Sequence, residues 1–223
     1  MLLVFSFTDI RPDYCRAERA SDAFVHILGL TLAIVAVPVL IILTLVYRSE
    51  PAAVTGVAIY GVTLVMMLTL SALYNMVESD RWSDILRRLD HSGIYFKIAG
   101  TYTPFLLLSG VQVTTFLIGI WSSAFLGSFL KMLDPDRFRW FGLVLYLAMG
   151  WAAVWLGSVI LVELPQSLLI LMISGGIVYT VGVAFFLFER LRFHNTIWHV
   201  FVLIGSMLFF AAVAYRIALI AIR

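Results

Sequence analysis

Polar side chains that could bind a metal or move a proton lie close to the ends of long apolar segments. Residues spaced four apart share one face of a helix, and three such pairs occur: Asp22 with His26, Ser71 with Asn75, and Asn195 with His199. Other polar residues at similar depths are Tyr74, Asp90, His91 and His194. Polar groups inside a membrane usually face the bundle interior and mark a functional site. This layer is therefore the predicted site.

The spacing of His194 and His199 limits how these two histidines could bind a metal ion together. His194 and His199 are five residues apart, roughly 140° around a helix, so they cannot bind one ion as an i,i+4 pair does. For His26 and His194, an interfacial position without a catalytic role is the simpler interpretation. We expect Asn75, Asp90, Asn195 and His199 to form an interhelical polar network. Such a network either does chemistry or only holds the helices together.

Lys97 is the most unusual residue of the apolar segments. It follows Asp90 by seven positions and so faces the same way, about 10 Å deeper. A lysine at that depth needs a partner or must extend toward the headgroups. Arg216 is nearer the other end of its segment, and we expect it to extend to the interface.

The elements that position these residues are predicted to be membrane-spanning helices. Hydrophobic residues make up 62% of the 223 residues and charged residues 13%, against about 25% charged in soluble domains. Seven segments have the roughly 20 apolar residues that a span requires: 23–47, 52–78, 90–109, 112–131, 140–161, 166–188 and 196–221. The predicted fold class is an all-α, seven-helix transmembrane bundle. Residues 1–22 are predicted to be a tail and interfacial segment, and residues 23–223 a single domain.

Orientation follows from the basic residues. Eleven of the fifteen Lys and Arg residues lie on one side of the predicted bundle, which predicts a cytoplasmic N-terminus and an external C-terminus. We expect an integral membrane protein whose partners are membrane lipids. No basic stripe with exposed aromatic residues indicates a nucleic-acid partner. The single cysteine, Cys15, excludes an intramolecular disulfide.

Four segments carry a family resemblance over most of the chain: residues 71–75 (SALYN), 90–96 (DHSGIYF), 98–105 (IAGTYTPF) and 196–203 (TIWHVFVL). In these, the chain resembles the hemolysin III proteins, the bacterial branch of the progestin and adipoQ receptor family. The resemblance implies a protein of the bacterial inner membrane with a seven-helix fold similar to that of intramembrane metal-dependent hydrolases. In that pattern three histidines of the second and seventh helices hold zinc, and an aspartate on the third helix, here Asp90, orients or deprotonates a zinc-bound water. Ser71 matches the serine of the second-helix motif.

The chain departs from this pattern at the zinc ligands. Asn75 and Asn195 occupy two of the three histidine positions, and only His199 is retained. A carboxamide oxygen is a poor zinc ligand beside imidazole. Asp22 stands where an asparagine is common, and Lys97 where an apolar residue is usual. We therefore expect a lost or weakened zinc site and no cofactor.

Two compensations are conceivable for the missing ligands. His26, His91, His194 and His199 could assemble a rearranged zinc site. Alternatively, the Lys97 ammonium could reach into the vacated space and supply positive charge to Asp90 and the asparagine carbonyls.

The predicted function is a membrane protein that binds a lipid or partner and modulates the membrane. The alternative is a zinc-dependent intramembrane lipid hydrolase, a ceramidase-like amidase or esterase, with Asp90 and Ser71 as catalytic residues. A pore-forming cytolysin ranks lower, because seven closely connected apolar spans make an obligate membrane protein. An ion transporter also ranks lower, because inverted repeats are not apparent.

Overall fold

The computed structural model describes residues 14–109, 114–156 and 164–221. These ranges contain seven α-helices and no strand, which confirms the all-α prediction. The helices are α1 (Arg16–Tyr47), α2 (Pro51–Met76), α3 (Asp80–Leu107), α4 (Thr114–Leu133), α5 (Arg139–Leu156), α6 (Gln166–Leu187) and α7 (His194–Ala221). Five of them, α1, α2, α4, α6 and α7, are long and apolar enough to cross a membrane. The chain is thus a helical membrane protein, while the count of seven spans and the sides of the termini stay predictions.

Most helix ends lie within a few residues of the predicted spans, with two early starts. Helix α1 begins at Arg16 rather than at residue 23. Helix α3 begins at Asp80 rather than at residue 90, because its charged first turns are helical too and carry an i,i+4 pair between Asp84 and Arg88. Residues 1–13 of the predicted tail, 112–113 of the fourth span and 157–161 of the fifth lie outside the described residues.

Helix α3 lies at the centre of the bundle. It packs against α2 on one side and against α4, α5 and α7 on others. The side chains of residues 101–106 are all buried, so this stretch is covered on every side of the helix. A Cβ atom added at Gly56 of α2 would lie 2.8 Å from Pro104 Cα, so a glycine is what allows α2 and α3 to approach this closely.

Ion pairs tie neighbouring helices together at one end of the bundle, which we call the site end. They are Arg19–Glu78 at 2.6 Å, Arg87–Asp136 at 2.7 Å and Arg139–Glu189 at 2.6 Å. These contacts bring the starts of α1, α3 and α5 beside the ends of α2, α4 and α6, so the helices alternate in direction. At the opposite end Arg216 donates a hydrogen bond to the Leu108 carbonyl at 2.6 Å. It thus caps α3, where the sequence predicted extension to the interface.

Candidate functional site

A buried carboxylate, Asp22 of α1, is the centre of the polar layer. Its Oδ1 lies 2.6 Å from His199 Nδ1, and its Oδ2 accepts a hydrogen bond from Asn195 Nδ2 at 3.2 Å. His26 Nε2 lies 3.4 Å from the same Oδ2. Asp22 is only 7% exposed, and His26 and His199 are buried as well. One charged group therefore connects three neighbours inside the bundle.

Helical spacing explains why these four residues meet. Asp22 and His26 are one turn apart on α1, and Asn195 and His199 are one turn apart on α7, so each pair forms a short polar stripe. Helices α1 and α7 pack against each other, and the two stripes face across that contact. The rings of His26 and His199 have their centroids 4.3 Å apart. The shared faces predicted from the sequence are confirmed for both pairs.

The network continues into α2. Asn195 Nδ2 also donates to Asn75 Oδ1 at 3.1 Å, and Asn75 Nδ2 donates to the Ser71 carbonyl at 2.9 Å. Asp90 of α3 lines the same cavity as Asn75 and Asn195. The predicted interhelical network is thus present among Asn75, Asn195 and His199, with Asp22 as the connecting residue and Asp90 beside it.

The other two histidines lie apart from this cluster. His194 bonds to the Tyr14 hydroxyl at 3.0 Å, and His91 has its ring beside that of Tyr74, with centroids 6.5 Å apart. Among the described residues, the group whose metal-binding atoms come together is Asp22, His26 and His199. The prediction of a site built from all four histidines is therefore wrong, because His194 contacts Tyr14 and His91 contacts Tyr74 instead.

Lys97 also has a different environment from the one predicted. Its Nζ lies 4.5 Å from the centroid of the Tyr179 ring and 4.8 Å from that of Phe209. The hypothesis that it supplies charge to Asp90 is wrong, because two turns of helix carry its side chain into the apolar space beside α6 and α7. Tyr179 and Phe209 were missed because nothing in their apolar surroundings marks them. The one available signal was Lys97 itself, because a lysine in an apolar interior is often in contact with the faces of aromatic rings.

Two cavities adjoin these residues. A polar cavity of about 930 Å³ is bordered by the network together with Tyr74, His91 and His194. An apolar cavity of about 210 Å³ lies between α3, α5, α6 and α7 and contains Lys97. Ile94, Tyr146 and Trp198 line both. The polar layer and the apolar interior are therefore neighbouring compartments.

Glu18 and Tyr14 are site-end residues whose roles the sequence did not reveal. Glu18 Oε1 accepts the backbone N–H of Phe193 at 3.0 Å, and its Oε2 accepts that of Cys15 at 2.9 Å. Phe193 has a φ of 61°, a left-handed conformation uncommon for a residue with a side chain. The Glu18 carboxylate thus holds the start of α7 against α1. Burial raises the pKa of the Tyr14 hydroxyl, which keeps it protonated beside His194.

Comparison with known proteins places the chain in a family. The model of the family described as "Haemolysin-III related" matches residues 17–210. The chain belongs to this family. It is 36% identical over 200 residues to the Hemolysin-3 homolog of Bacillus subtilis (strain 168), covering 89% of the chain and 93% of that relative. It is 37% identical over 204 residues to Hemolysin-3 of Bacillus cereus, covering 89% and 91%. The predicted family is confirmed, and with the apolar helices it makes this haemolysin-III member an integral membrane protein.

The residues of this haemolysin-III member do not fit a three-histidine zinc site. Asn75 and Asn195 hydrogen-bond to each other, and Asn195 directs its NH₂ group, which cannot bind a metal, toward Asp22. His199 Nδ1 is already in contact with Asp22.

A different set of ligands, Asp22, His26 and His199, fits a divalent ion better. The donor atoms of Asp22, His26 and His199 lie within 4.8 Å of one another, and imidazole and carboxylate are ordinary ligands of such ions. His26 Nε2, despite its 3.4 Å contact, makes no hydrogen bond with the described residues and is free to bind.

Proposed function

We propose that this protein binds a membrane lipid inside its helix bundle, without zinc at the position where the family resemblance implies it, and so modulates the membrane. The observation that carries the proposal is the bond between the two asparagines. Their carboxamides satisfy each other, and the Asp22 carboxylate accepts from Asn195 and contacts His199. A positive ion is not needed to hold these groups together.

The net charge of the site supports this interpretation. A zinc ion bound by three neutral imidazoles leaves a net positive charge in the site, whereas two amides and one imidazole carry none. Asp22 supplies a charged hydrogen-bond acceptor instead, and charge-assisted bonds are about twice as strong as neutral ones. The helices α1, α2 and α7 are thereby joined through hydrogen bonds.

The adjoining cavities support lipid binding. The apolar compartment of about 210 Å³ offers an environment for a hydrocarbon chain, and both Lys97 within it and the polar compartment of about 930 Å³ beside it offer partners for a polar group. The polar compartment alone is in the size range of small-molecule sites, roughly 300–1,000 Å³. The exposed outer faces of the helices bring the chain into contact with lipid over most of its surface.

A second candidate function is a metal-dependent lipid hydrolase with a shifted ligand set. It is favoured by the proximity of Asp22, His26 and His199. Three protein ligands leave a position open, and a bound metal would polarise a carbonyl and lower the pKa of water. Asp90 lines the polar cavity together with Asp22 and His199, as a carboxylate that could accept a proton.

The metal content decides between the two candidates. The protein is purified in mild detergent without chelators, and metals are measured by mass spectrometry beside an Asn75→His/Asn195→His double variant. We expect far less than one zinc ion per chain in the parent and close to one in the double variant, because imidazole replaces the carboxamides. Near-stoichiometric metal in the parent that His26→Ala removes would contradict the proposal and support the hydrolase.

Lipid binding is tested on the same sample. Lipids extracted from the purified parent are compared with those of the solubilised membrane. We expect one lipid class to be enriched. An extract with the composition of the bulk membrane would contradict the lipid-binding part of the proposal.

A further inference from the structure

Lys97 is an ionisable residue in the interior of the bundle, and none of the described residues gives it a charged partner. It is 4% exposed, in the middle of the central helix α3. Within the three described ranges, its ammonium contacts two aromatic rings and neither a carboxylate nor a hydrogen-bond acceptor. An ionisable group at such a depth is costly and usually functional. Aromatic faces attract a cation, but they leave its three N–H donors unsatisfied.

The rings of Tyr179 and Phe209 beside the ammonium each pack against a glycine of the facing helix. A Cβ atom at Gly205 of α7 would lie 2.7 Å from the ring of Tyr179, and one at Gly175 of α6 would lie 2.8 Å from that of Phe209. Each helix thus makes room for the aromatic ring of the other. The Tyr179 hydroxyl is further fixed at 2.6 Å from Ser206 Oγ. The surroundings of the ammonium are therefore rigid, as in a preorganised binding site.

The cavity beside the ammonium reaches the lipid-facing surface. It is lined almost wholly by apolar and aromatic side chains, and its described lining contains no carboxylate. Two of its lining residues, Val154 of α5 and Ile173 of α6, are 52% and 46% exposed on the outside of the bundle. A hydrocarbon chain can therefore enter between α5 and α6 directly from the bilayer.

We propose that this cavity binds a long-chain fatty acid, with its carboxylate paired to the Lys97 ammonium and its chain directed toward the opening between α5 and α6. The carboxylate supplies the negative charge and the acceptors that the ammonium lacks. A cavity of about 210 Å³ suits a single chain rather than a two-chain phospholipid. This inference rests on the lipid binding proposed above and specifies the class of lipid.

Binding is tested on the purified parent with two probes of equal chain length, radiolabelled hexadecanoic acid and hexadecan-1-ol. The acid is expected to bind roughly tenfold more tightly, because only the acid forms a charge-assisted pair with Lys97. Equal affinity for the two probes would overturn the inference while leaving lipid binding intact. Binding of neither probe would overturn the inference as well. The lipid extract described above then shows whether the protein binds another lipid.

Three variants locate the binding. Lys97→Met keeps the length of the side chain without its charge, and it should reduce affinity for the acid to that for the alcohol. Arg81→Met is the matched control, since the Arg81 guanidinium also lies over an aromatic ring, that of Trp82 at 5.4 Å, but lines neither cavity. It should leave both affinities unchanged.

Val154→Trp narrows the opening at an exposed position and should weaken binding of both probes. Because it alters no buried residue, it is available even if Lys97→Met fails to fold. Unaltered acid binding in Lys97→Met or unaltered binding of both probes in Val154→Trp would overturn the inference.

Discussion

At the scale of single residues, the site depends on where one negative charge is placed. Asp22 is buried and contacts His199, Asn195 and His26 at 2.6, 3.2 and 3.4 Å. The carboxamides of Asn75 and Asn195 carry no charge, and the Asp22 carboxylate of α1 accepts a hydrogen bond from Asn195. The three positions form one contiguous network, so their substitutions are expected to be coupled.

Replacing Asp22 by asparagine tests its structural role. Asp22→Asn keeps the size of the side chain but removes the charge-assisted contact with His199, so we expect the free energy of unfolding to fall by about 1–3 kcal/mol. Unfolding is measured in detergent with increasing sodium dodecyl sulfate. The control is Glu78→Gln, which breaks the equally short but exposed ion pair with Arg19 and should cost less than about 1 kcal/mol. Equal losses in both variants would contradict a central role for Asp22.

At the scale of helices, close packing of α2 on α3 positions the network. Gly56 contacts the backbone of α3 at Pro104, and the same pair of helices carries Asn75, Ser71 and Asp90 one to three turns from the site end. A displacement of α2 would therefore move Ser71 and Asn75 relative to Asp90.

A single methyl group tests this packing. Gly56→Ala would place its Cβ 2.8 Å from Pro104 Cα, and we expect the free energy of unfolding to fall by about 1–3 kcal/mol through overpacking. Gly119→Ala on α4 is the control, because a Cβ there meets nothing within 4 Å and alanine favours helix. The unfolding transition in detergent measures both. A Gly56→Ala variant as stable as Gly119→Ala would show that α2 and α3 have room to separate.

Sequence reasoning succeeded where spacing within one helix determines the geometry. The pairs Asp22–His26 and Asn195–His199 share faces as predicted, and most helix ends follow the apolar segments. Contacts of Lys97 with Tyr179 and Phe209 could not be predicted, since lipid and bundle interior are both apolar. Helix α6 is apolar on all sides, so no periodicity shows which face is inside. The early start of α3 was missed because its first turns are charged yet helical.

At the scale of the whole molecule, the basic residues are concentrated at the site end. The ion pairs there place the starts of alternate helices side by side, in agreement with the alternation that the charge count assumes. We expect the site end to face the cytoplasm.

The single cysteine allows a direct test of this orientation. Cys15 is exposed, one residue before α1, so in intact cells a membrane-impermeant maleimide should label it only after permeabilisation. A Cys15→Ser/Ser49→Cys variant moves the thiol to the exposed α1–α2 connection at the opposite end and should be labelled without permeabilisation. The reverse pattern would invert the predicted topology.

The contact between Asp22 and His199 joins residues 177 positions apart in the chain. Helix α7 is synthesised after the six helices that precede it, so the partner of Asp22 is missing until α7 has been made. The same holds for Lys97, whose ring partner Phe209 also belongs to α7. Asp22 and Lys97 therefore lie in the membrane without these partners until α7 inserts. The quality-control machinery of the cell should recognise chains truncated before α7 as unfinished, even though six helices are already in place.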